Sequence, residues 1–155
     1  MNEAYSIPLI RLFDNLIISI QVALSDDIVE RLMSQITETI ERSTVSGLIL
    51  DFSGADVMDS HITRRVHDIA MAARVMGVDT VVCGLRASIV ITLAEMGLSL
   101  PGVVCALNLE RALEFLVTKN LMDGRPVSHP SAGDSERGAG AWRTLEAEGA
   151  HGFRG

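Results

Sequence analysis

A chain of 155 residues has room for one domain of ordinary size, and 48% hydrophobic against 21% charged residues is enough apolar material for a core without staples. The net charge is -7, with one lysine (Lys119) against twelve arginines, so no broad basic surface exists to neutralise a phosphate backbone and nucleic acid is excluded as an expected partner. No run approaches the roughly 18 apolar residues of a membrane span, and MNEAYSIPLI lacks the basic start and apolar stretch of a signal peptide. A cytoplasmic protein without a membrane partner is expected.

Ile7 to Phe13 and Leu16 to Val22 are short β-branched and apolar runs, separated by the turn dipeptide Asp14-Asn15, and read as a hairpin. Ser25-Asp26-Asp27 supplies an N-cap and first-turn acids for a helix whose apolar positions Ile28, Leu32, Ile36 and Ile40 lie four apart and which ends near Arg42. Gly47 to Phe52 is a continuous apolar run of the kind found in buried central strands. After the loop Ser53-Gly54-Ala55-Asp56, a second helix begins at Asp59-Ser60. It carries Ile62, Val66, Ile69, Ala70, Ala73 and Met76 at helical spacing and stops at Gly77. A strand from Thr80 to Cys83, a helix from Ser88 to Met96, a strand from Val103 to Ala106 and a helix from Leu109 to Lys119 follow.

The order is therefore ββαβαβαβα. Helices between successive strands imply right-handed parallel crossovers, so the fold class is α/β, a mixed sheet with helices packed on it and a hairpin strand at one edge. Residues 1–120 form the expected domain. Residues 121–155 read as a disordered Gly-rich tail, because the stretch from Met122 onward holds seven of the thirteen glycines and almost no apolar periodicity; Trp142 and TLEAE are its only candidate contact for a partner. Cys83 and Cys105 both lie in apolar runs and are expected to be buried free thiols.

Much catalytic machinery is missing. The chain contains no GxxxxGK(S/T), GxGxxG, HExxH, paired CxxC or GxSxG. His61 and His67 are six apart, about 240° around a helix, and cannot hold one metal from one face. Asp51 and Asp56 resemble part of a phosphoacceptor receiver, but that fold needs an acidic pair after its first strand and a lysine near its last, and neither is present. No enzyme, cofactor or metal is expected.

What remains is SGADVMDSHITRRV, where a buried strand gives way to a helix. Ser60 falls at or beside the helix N-terminus, where free N–H groups and the positive end of the dipole favour an anion. Two readings stand at this point: Ser60 or Asp59 is simply the cap, or Ser60 accepts a phosphate.

The segments LDFSGADVMDSHITRRV, VCGLRASIVITLAEMGLSLPGVVCALNLERAL and IPLIRLFDNLIISIQVALSD resemble the STAS-domain anti-sigma-factor antagonists, and within them the RsbS-type stressosome scaffold subgroup, over about residues 7–119. The resemblance implies a non-enzymatic scaffold that co-assembles with an RsbR-type STAS paralogue, as homo-oligomer and large hetero-assembly. It also implies capture of an RsbT-type serine kinase, released when Ser60 is phosphorylated, and an RsbX-type phosphatase that resets the site. Asp59, His61, Ile62, Arg64 and Arg65 flank Ser60 and become candidates for the kinase-facing surface. A second acceptor threonine found in RsbR-type relatives aligns with Cys83, which implies single-site regulation. The alternatives are a free antagonist outside any large assembly, or a STAS module that binds a nucleotide or small ligand.

Overall fold

The computed structural model describes residues 7–21 and 24–125. The tail from residue 126, with Trp142 and TLEAE, lies outside the described residues. Nine elements follow in the expected order: β1 (Leu9–Leu12), β2 (Asn15–Ser19), α1 (Asp26–Arg42), β3 (Gly47–Asp51), α2 (Ser60–Val75), β4 (Asp79–Cys83), α3 (Ala87–Glu95), β5 (Val104–Ala106) and α4 (Leu109–Met122). They build one five-stranded sheet ordered β1-β2-β3-β4-β5. The β1–β2 pair is antiparallel and the other pairs are parallel.

Alternation along the strands sends two apolar sets to opposite faces. Leu16, Ile18, Leu48, Leu50 and Val82 meet Leu32 and Ile36 of α1, Val66 and Ile69 of α2, and Ile89 and Leu93 of α3. Ile17, Ile49, Val81 and Cys83 turn the other way and are covered by Ala112 and Leu116 of α4. The central strand β3 is thus apolar on both faces, which is why Gly47–Asp51 reads as an unbroken hydrophobic run.

Three local expectations are corrected. The hairpin turn is Phe13-Asp14, not Asp14-Asn15: Leu12 pairs with Asn15, which belongs to β2, and the Asp14 carbonyl accepts the Ser46 amide at 2.7 Å. Phe13 takes the left-handed backbone there, with φ 54°. Ser25 is the N-cap of α1 as expected, in extended conformation with its carbonyl accepting the Val29 amide at 3.0 Å, although its hydroxyl makes no capping bond. The last helix passes Lys119 because Asn120 is buried and donates from Nδ2 to Ser46 Oγ at 2.9 Å, so the turn closes only before Gly124, with φ 67°. Cys83 is buried as expected, whereas Cys105 is exposed, because β5 is an edge strand paired on one side only.

Candidate functional site

The loops after β3 and β4 meet at the carboxyl end of the parallel strands, the usual place for function in such sheets. Asp51 Oδ1 accepts from Ser53 N at 2.9 Å and Ser53 Oγ at 2.7 Å, which folds the chain back as it leaves β3. Gly84, with φ 74°, lies against this turn. A Cβ there would stand 2.7 Å from Asp51 Oδ1 and 2.8 Å from Ser53 N, so only glycine fits. Met58 is buried and pins the loop to the core just before α2, and Asp56 pairs with Arg86 at 2.9 Å, tying the same loop to the start of α3.

The start of α2 decides between the two caps. Asp59 stands in extended backbone and its Oδ1 accepts the Ile62 amide at 2.8 Å. Its carbonyl takes the Thr63 amide at 2.9 Å and the Thr63 hydroxyl at 2.7 Å. Asp59 is therefore the cap, and Ser60 is the first residue of the helix. Ser60 is exposed, and among the described residues its hydroxyl has no hydrogen-bond partner. The oxygen sits where the helix dipole is most positive and is committed to no structural bond.

The flanking residues divide. Asp59, His61 and Arg64 are exposed with Ser60. Arg64 lies four residues on, about 40° around the helix, so it shares the serine's face, and its side chain has no ion pair among the described residues. Ile62 is half-buried and packs against the core. Arg65 is drawn toward α1, bonding Asp26 Oδ1 and lying 3.6 Å from Asp68 Oδ2. His61 Nε2 stands 3.7 Å from the same Asp26 carboxylate. The structure thus brings together Ser60, Asp59 and Arg64 on one outward face and turns Ile62 and Arg65 inward.

Sequence reasoning did not find Val57, which is 67% exposed in the loop leading to Asp59, nor the roles of Asp26 and Arg86. An isolated valine in a polar loop carries no periodic signal. The two ion pairs join residues 30 or more positions apart, which spacing along the chain cannot show.

Cys83, at the end of β4, has its thiol pushed up to about 12 by burial, then by the Asp51 charge and its hydrogen bond to Asp51. It is a neutral packing group under ordinary conditions. Among the described residues no group of His, Cys, Asp and Glu could hold a metal ion, and no helix is long and apolar enough to cross a membrane.

Comparison with known proteins places these features in context. The STAS domain family profile matches residues 5–112. RsbS of Moorella thermoacetica, solved with a serine replaced by glutamate, superposes with a TM-score of 0.61 at 32% identity, over 76% of this chain and 97% of that one. A chain from the molecular architecture of the stressosome, described as a signal integration and transduction hub, superposes at 0.62 with 34% identity, over 74% and 98%. The RsbT co-antagonist protein RsbRA of Bacillus subtilis (strain 168) is 23% identical over 113 residues, 72% of this chain and 41% of that protein. The chain thus spans less than half the length of that curated relative.

Proposed function

The chain belongs to the STAS domain family, and from that premise we propose that it is a non-enzymatic scaffold or antagonist of a stressosome-type partner-switching pathway. It captures an RsbT-type serine kinase and releases it when Ser60 is phosphorylated; an RsbX-type phosphatase resets the site. The observation that carries this reading is the Ser60 hydroxyl, exposed and unbonded at the first position of α2, because the neighbouring Asp59 takes the capping role. A kinase can reach that oxygen without opening the fold.

Two likenesses support the partners. A relative at 34% identity comes from a stressosome, which favours co-assembly with an RsbR-type STAS paralogue. RsbRA is named as a co-antagonist of RsbT, which favours an RsbT-type kinase as the captured protein. Within this reading the protein works in the cytoplasm and Asp59, His61 and Arg64 present the kinase-facing surface around Ser60, with Val57 as its apolar contact. Ile62 and Arg65 set the orientation of the helix that carries it.

Incubation with ATP and the RsbT-type kinase, followed by phosphopeptide mass spectrometry, tests the switch. Stoichiometric phosphate on Ser60, absent in Ser60→Ala, is expected. Phosphate only in the segment after residue 125, or none, refutes it. Light scattering of the protein mixed with an RsbR-type paralogue separates the scaffold from a free antagonist: a particle far above 16.7 kDa is expected, and two species that never associate leave only the free antagonist.

A further inference from the structure

At the end of α2 opposite Ser60 the sheet is incomplete. β5 pairs with β4 through Val81, Val82 and Cys83, so among the described residues no strand pairs with Asp79 and Thr80 on that side. The gap is a cavity of about 310 Å3 between α2 and α4, bounded by Arg74, Asp79, Thr80, Gly102, Val104 and Phe115 among others. That volume is at the lower end of small-molecule sites, roughly 300–1,000 Å3.

Its polar groups are unevenly satisfied. Asp79 is doubly paired, to Lys119 Nζ at 2.7 Å and to Arg125 Nη1 at 3.4 Å. The Arg74 side chain has no ion pair or hydrogen bond among the described residues; its guanidinium lies over Gly102, where an added Cβ would stand 3.2 Å from Nη1. Thr80 is only 7% exposed and its hydroxyl is buried without a partner, a condition that costs free energy unless something fills it. Two cations thus hold one carboxylate, while a third, Arg74, lines the cavity unpaired, in a chain whose net charge is -7. Phe115 and Val104, both partly exposed, add an apolar wall.

We propose that this cavity binds a small organic carboxylate with an apolar or aromatic body, the carboxylate on the Arg74 guanidinium and beside Lys119, the body against Phe115 and Val104. Arg74 suits the task because its planar fork matches a carboxylate in two parallel bonds. Rotation about χ1 of Thr80 adds its hydroxyl as a further donor. The site stands apart from Ser60 and does not depend on phosphorylation or on the kinase: the two lie at opposite ends of one 16-residue helix.

Amide-resolved NMR titration of the unphosphorylated full chain tests this with three probes: benzoate, its neutral analogue benzamide, and inorganic phosphate. Benzoate is expected to give saturable shifts centred on Asp79, Thr80, Gly102 and Val104. Benzamide, which lacks the charge, and phosphate, which lacks the body, should bind at least about tenfold more weakly. Arg74→Gln, at an exposed position where folding is not at stake, should weaken benzoate about tenfold; Arg111→Gln, on α4 away from the cavity, should leave it unchanged. Equal shifts with benzoate and benzamide, shifts spread over other surfaces, no saturation, or full binding by Arg74→Gln would each overturn the proposal.

Discussion

Replacing Asp59 and Ser60 one at a time separates a structural residue from a signalling one. Asp59→Ala removes the acceptor that holds the Ile62 amide at 2.8 Å and a negative charge at the helix N-terminus. Loss of an N-cap side chain costs about 0.5–2 kcal/mol, of which the charge–dipole part is about 0.3–1 kcal/mol. Because Asp59 is exposed, the freed amide regains water, and a loss of about 1 kcal/mol is expected. Ser60→Ala removes a hydroxyl that bonds nothing and introduces the best helix former, so its effect should lie within about 0.5 kcal/mol of zero and lean toward stabilisation. Urea unfolding followed by circular dichroism reads both. With a slope of about 1–3 kcal/mol per molar, Asp59→Ala lowers the midpoint by about 0.3–1 M and Ser60→Ala hardly moves it. A larger loss from Ser60→Ala than from Asp59→Ala would refute the assignment of the cap, and with it the argument that the serine is free for modification.

Ser60→Asp should leave stability within about 1 kcal/mol of the parent while weakening capture of the RsbT-type kinase at least about tenfold, and Ser60→Ala should retain it; equal capture by both variants in a surface-plasmon assay moves the switch elsewhere. Cys83 makes stability fall at high pH: its thiol ionises near the ordinary 9.0 when unfolded and near about 12 when folded, so its contribution is complete below pH 9 and is lost through the interval up to about 12 at roughly 1.4 kcal/mol per pH unit. Denaturant titrations should show the gap between parent and Cys83→Ala narrowing over that interval, and a constant gap counts against the shift. Phe13→Gly should raise stability by about 1 kcal/mol, because a non-glycine residue in the left-handed region carries a cost of roughly 1–2 kcal/mol; a lower unfolding midpoint would show that the half-exposed ring contributes more than the backbone loses.

The nine elements and their order were legible because each rests on short-range information: a period of two or nearly four, a turn residue, a terminating glycine such as Gly77 at φ 82°. The errors have a common cause, which is competition from residues distant in sequence. Asp14-Asn15 is the better turn dipeptide by composition, yet the turn shifts to Phe13-Asp14 because the Asp14 carbonyl is claimed by Ser46 and Asn15 by the β2 ladder beside Gly47. Ser25 is the cap by position, and what the sequence does not show is that its hydroxyl is unused while Asp26 beside it is bonded to Arg65 of α2. Cys105 shares its apolar surroundings in the sequence with Cys83 but lies on β5, which among the described residues is paired on one side alone. At the site itself, the position of Ser60 was readable and its freedom was not: that required knowing which of two adjacent polar side chains reaches the Ile62 amide.

The proposed switch requires a modification that the fold tolerates and a docked partner does not, and the surroundings of Ser60 meet that requirement. The helix it begins is fixed by buried Val66, Ile69, Ala70 and Ala73, none of which lies on the serine's face. The neighbouring charges are mostly closed, Asp56 with Arg86 and Asp26 with Arg65, which leaves Arg64 as the exposed cation one turn away. A phosphate adds about -1.5 to -2 charges. The helix N-terminus favours it by about 0.3–1 kcal/mol and Arg64 by about 0.2–0.5 kcal/mol, against repulsion of similar size from Asp59. The sum is small beside the roughly 5–15 kcal/mol that holds a domain folded. A partner packed over Val57 and Ser60 would instead have to take that charge out of water, at an effective cost of several kcal/mol unless it supplies a cation at the right place. One covalent change therefore leaves the domain standing and shifts partner affinity by orders of magnitude, provided the captured partner offers Ser60 an apolar or acidic surface.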